Sequence, residues 1–171
     1  MAQLAGTYGF ELDAAQAGQK VDLATDIVDS FKAEGAVPFG RAVVQGTADD
    51  QCKLPNSSED YVLGVAIFTH AIEQALAGGA EYADKDMVSV ASFGRVWMDG
   101  QGEWNKNDPA YVVLSGTAGL NGTITADPSL SGASAVLGPI GRFLNSGEDE
   151  LAQVEITRAL QGPQGPEGEP G

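Results

Sequence analysis

The stretch Leu151-Ala152-Gln153-Val154-Glu155-Ile156-Thr157 decides the fold class. Ala152, Val154 and Ile156 alternate with Gln153, Glu155 and Thr157. Successive side chains of a strand point to opposite faces, so this spacing predicts a strand with one buried and one wet face. Working outward, "AVPFGRAVVQG" (36–46) carries Pro38, which excludes a helix interior, and Ala42-Val43-Val44, which favour a strand. "QCKL" (51–54) is a short extended piece between turn-rich segments. Tyr61–Ile72 reads as a strand buried on both faces, running into a helix-prone "EQALAGG". Met87–Ala91 and Arg95–Met98 read as two short strands, with Gly94 as a bulge or kink between them. A turn at "NKNDP" (105–109) precedes a strand at Tyr111–Leu114, and "GTIT" (122–125) suggests one more.

Short strands separated by turn signals predict an all-β fold, a compact β-sandwich or barrel. Helix is expected to be minor outside Ala71–Leu76. The stretch before this body shows no overall period. It reads as an irregular arm (1–36) with one short extended piece near Val21–Leu23. The β-rich body is expected over 37–160, and a tail over 161–171.

That tail, "GPQGPEGEPG", places Gly162, Gly165, Gly168 and Gly171 at every third position, with Pro163, Pro166 and Pro170 between them. Only glycine fits the axis where three polyproline-II chains meet, so this is a collagen-like register. A collagen needs three chains, and only "RALQ" separates it from the last strand. The tail therefore predicts a homotrimer whose bodies hold their C-termini together; a dimer with loose tails is the competing arrangement.

Composition narrows the function. Hydrophobic residues form 43% of the chain and charged ones 19%, enough for a packed core. The formal net charge of −15 lacks the basic footprint that nucleic acid requires. No apolar run is long enough to span a membrane, and the N-terminus has no basic, apolar signal pattern, so no membrane partner is expected. Cys52 is the single cysteine and implies no internal disulfide.

Catalytic patterns are missing. His70 is the single histidine, and no G-x-S-x-G elbow accompanies it. A Cys52–His70 dyad has no activating neighbour in the sequence. Zinc spacing and an EF-hand pattern are both absent; Asp49-Asp50, and Asp84 with Asp86, read as solvated turns rather than a subunit-bridging calcium site. No cofactor is expected and no enzymatic activity. Trp97 and Trp104, near a hairpin turn, and Tyr8 and Phe10 in the arm are the candidate partner-binding residues, since aromatic side chains dominate interface hot spots.

Read in order, "FGRAVVQG", "DYVLGVAIFTH", "YADKDMVSVASFGRVWM", "NKNDPAYVVLSG" and "IGRFLNSGEDELAQVEI" resemble the structural cement, or capsid decoration, proteins of tailed bacteriophages, over about Pro38 to Ile156. The helix-prone "AIEQALAGGAEY" and the collagen triplets depart from that pattern. The resemblance implies a non-catalytic protein that sits on the outer surface of an assembled head. There it would clamp neighbouring major capsid subunits, with the tail projecting as a head fibre. The alternative is a collagen-tailed trimeric surface or tail-fibre module not attached to a capsid.

Overall fold

The computed structural model describes residues 15–69, 80–115 and 119–157. Among them there is no helix and there are thirteen strands. The first seven are β1 (Ile27–Ala33), β2 (Val37–Pro38), β3 (Ala42–Gln45), β4 (Gln51–Lys53), β5 (Val62–Ala66), β6 (Glu81–Tyr82) and β7 (Met87–Gln101). The rest are β8 (Glu103–Trp104), β9 (Pro109–Ser115), β10 (Ile124–Thr125), β11 (Ala133–Phe143), β12 (Gly147–Glu148) and β13 (Leu151–Ile156).

The pairings close into two rings that share one strand. One ring runs β7-β1-β4-β3-β5 and returns to β7; the other runs β7-β10-β9-β11-β13 and returns to β7. Closing a ring leaves few free edges. The 15-residue β7 makes the sharing possible. Its first half, Met87 to Phe93, pairs with β1, and its second half, Gly94 to Asp99, pairs with β13.

The hand-over between the rings is a bulge. Ile27 lies opposite Phe93 and Val28 opposite Ala91, so Ser92 is the extra residue. An extra residue reverses which face each side chain takes. Val88 and Val90 accordingly face one core, whereas Val96 and Met98 face the other. Gly94 follows at φ +134°, with Asp26 packed against it, a backbone setting open to glycine and strained for other residues.

Each ring has its own core. The first is built from Ala33, Val43, Cys52, Ala66, Val88 and Val90 and closed by β2 and β6. There Phe39 packs edge-on against Phe68 and Tyr82, and the Tyr82 hydroxyl donates to the Ile67 carbonyl at 2.7 Å. The second gathers Val96, Met98, Val112, Ile124, Phe143, Ala152, Val154 and Ile156, and β8 and β12 close it. Val44 and Val65 of the first ring also pack into this second core, so β3 and β5 are buried on both faces. Arg41 adds a polar tie between the rings. Its Nη1 donates to the Gly119 carbonyl at 2.6 Å, and its Nε lies 3.3 Å from Asp99.

The structure corrects several expectations. Val21–Leu23 is a series of bends, and the strand in that region is β1, Ile27–Ala33. The two-faced strand expected over Tyr61–Ile72 is confined to Val62–Ala66; its end from His70 onward, and the helix-prone Ala71–Leu76, lie outside the described residues. The two strands expected on either side of Gly94 are one continuous strand, because the bulge bends the backbone without interrupting its pairing.

Candidate interaction surface

The first ring holds the one cysteine, and among the described residues no group is placed to activate it. Cys52 is fully buried, and burial pushes its thiol up to about 11, far from a reactive thiolate. His70 lies outside the described residues. Among the described residues no group of three potential ligands gathers for a metal. Asp84 and Asp86 accept hydrogen bonds from the amides of Gly35 and Ala83, so both fix turns.

The tryptophans occupy different settings. Trp104 is interior, 1% exposed, and stacks on Phe143 at 5.2 Å. Its ring edge fills the space left by the missing side chains of Gly100 and Gly147, so it offers no surface to a partner. Trp97 is half-buried on the outer face of the β7–β13 ladder, opposite Gln153. Tyr8, Phe10 and the tail residues Gly162, Pro163, Gly165, Pro166, Gly168 and Gly171 lie outside the described residues.

The described end of the arm is tied to the body. Gly18 donates to the Trp97 carbonyl, Trp97 to the Gln19 carbonyl and Val21 to the Arg95 carbonyl. This pairing carries Asp22 to Arg95, whose Nη1 sits 2.8 Å from it while Nε sits 3.0 Å from Glu155. Arg142 reaches the other oxygen of Glu155 at 2.9 Å. The backbone amide of Ala24 and the Arg95 guanidinium hold Asp22 below the usual carboxylate range. Arg95, then Arg142, do the same for Glu155. Arg41, Arg95 and Arg142 each have a carboxylate partner within the chain, which leaves a surface dominated by acids.

Sequence reasoning missed the exposed apolar residues. Leu23, Ile27, Val28, Tyr61 and Met87 are all exposed, and Leu23 is as open as in an extended chain, at 102%. The β-branched pair Ile27-Val28 was the available signal for a strand here. The first four residues of β1 are wet on both faces, so they show no alternation to reveal the strand.

The described residues form a two-ring β body with exposed apolar side chains, in a chain of net charge −15. A family model described as structural cement protein (E217 gp24/Pam3 gp6) matches residues 4–157. The chain belongs to this phage cement protein family. Among solved structures, a chain of the capsid of Myoviridae phage XM1 superimposes with a TM-score of 0.73 at 18% identity, covering 93% of this chain and 100% of that one. At that identity the likeness is one of fold. The head fiber gp8.5 N base of bacteriophage phi29 matches more distantly, at TM-score 0.46 and 16% identity over 78% of this chain and 96% of that one. No curated protein matches. The cement protein is therefore a structural, capsid-associated virion component, in line with the resemblance of its strand segments.

Proposed function

We propose that this cement protein binds the outer surface of an assembled phage head and clamps neighbouring major capsid subunits against the pressure of packaged DNA. It acts without catalysis, and its collagen-like tail projects as a short fibre from a homotrimer. The observation that carries this reading is the family match across 4–157, which spans both rings. The surface supports it. A net charge of −15, with Arg41, Arg95 and Arg142 paired internally, is unsuited to the DNA side of a shell. Two closed rings sharing one strand make a body able to resist shear between the subunits it touches.

Two candidate capsid contacts are the arm before Ala15, with Tyr8 and Phe10, and the outer face of the β7–β13 ladder bearing the half-buried Trp97. An arm that orders on a neighbour adds contact area at an entropic cost. Reconstitution tests this. Heads lacking the protein should regain resistance to thermal or osmotic rupture when the full chain is added. A chain starting at Ala15 should bind more weakly while its body stays folded. Heads that neither bind the full chain nor gain resistance would overturn the proposal.

A further inference from the structure

We propose that Leu23, Ile27 and Val28 form the contact through which copies of this chain meet one another, facing the axis along which the C-terminal tails leave. This deepens the proposed homotrimer and rests on it. The tail follows directly from the end of β13. Ile156 lies opposite Gly94 of β7, and Ile27 lies opposite Phe93, the next residue, on the other edge of the same strand. Two strand spacings place Ile27 about 10 Å from Ile156. The tail thus departs from the body beside the N-terminal end of β1.

Reach then limits the geometry. Four residues separate Thr157 from Gly162, the first glycine in collagen register. Fully extended, that link spans roughly 17 Å. In a triple helix beginning at Gly162, each body must hold Thr157 within that radius of the common axis. The surface around Ile156 and Ile27 must therefore face the other copies.

That surface has the right chemistry. Leu23 is fully exposed, and Ile27 and Val28 are 38% and 39% exposed. Apolar groups left open together mark association sites. Copies of a chain carrying −15 repel one another, so a self-contact needs neighbouring acids to be neutralised. Here they are. Asp22 is paired with Arg95 and Asp26 with Lys20; Asp29, which shares a face of β1 with Ile27, is the acid left beside this contact among the described residues, and it faces away from Val28. Met87 is also exposed but lies opposite Lys32, at the far end of β1 and some 20 Å from the tail's exit.

Cross-linking separates these possibilities. Val28→Cys and Met87→Cys full-length chains are treated with a three-armed maleimide, free in solution and on reconstituted heads. Cys52 is buried and does not compete. The expected result is a covalent three-chain product from Val28→Cys and none from Met87→Cys. Linking that stops at two chains from Val28→Cys would keep the contact and overturn the three-fold assembly beneath it. Equal linking from both sites, or none from Val28→Cys, would overturn the contact itself. The Ile27→Asp/Val28→Asp double variant supplies a second reading. Its far-UV circular dichroism should match the wild type while the three-chain species is lost. Retention of that species would count against the proposal.

Discussion

β1 and β13 both run antiparallel to β7, one along each half, yet they are buried very differently. Ala152, Val154 and Ile156 of β13 are at most 3% exposed, and its outward residues are half-covered. The first four residues of β1 are all exposed. Neighbours explain the difference. β13 is flanked by β7 and β11 over a filled core. β1 has β7 on one side, and on the other it meets β4 only at Lys32 and Ala33. Pairing alone makes a strand; a second layer buries it. β13 is thus committed to holding the molecule together, while the start of β1, close to the end of β13, keeps apolar surface open.

A charge placed on each strand should show this difference most strongly. Val154→Asp buries a carboxylate without a partner in the second core and is expected to cost several kcal/mol, enough to unfold the body. Thermal denaturation followed by circular dichroism reads it. A folded variant with an unchanged transition would break the comparison. Trp104→Ala sharpens it in the same core: loss of the stack on Phe143 should leave a cavity costing about 3–5 kcal/mol, measured by denaturant titration.

The join between the halves should respond less. Gly94→Ala places a side chain at positive φ and against Asp26, and about 1–3 kcal/mol of destabilisation is expected. If the join is where the rings depend on each other, hydrogen exchange should rise in β1 and β13 together. A rise confined to one of them would show the rings to be independent.

The wet face of the β7–β13 ladder sets a pH dependence. Glu155 and Asp22 titrate below their ordinary values, so their ion pairs stabilise the fold fully above about pH 4.5 and lose that contribution as pH falls through the lowered values. Glu155→Gln should flatten the acid limb of the stability curve, and salt should weaken the wild-type effect because these groups are near solvent. An identical acid limb in the variant would remove the ion pairs from the account. The smallest effect belongs to Val28→Asp, whose melting should shift by no more than about 0.5 kcal/mol in stability terms.

The sequence made legible what burial imposes on it. β13 was readable because one face is core and the other water, and β3 because Ala42, Val43 and Val44 are all fully buried. β1 was not, since Ile27 and Asp29 share its exposure and nothing selects a face. The shared strand was hidden for another reason. A bulge at Ser92 reverses the alternation, so one long strand looks like two short ones around Gly94. The interaction surface was legible only as residue types. Trp104 and Trp97 are alike as tryptophans, and only the fold puts the first against Phe143 inside the second ring and the second on an outer face.

Electron cryomicroscopy of heads reconstituted with the full chain would locate the body on the shell. Density for the two-ring body is expected on the outer surface, touching at least two capsid subunits, with the ends of β13 gathered at an axis and the tails leading outward. Bodies bound within a single subunit, lying inside the shell, or holding their β13 ends apart would contradict that arrangement.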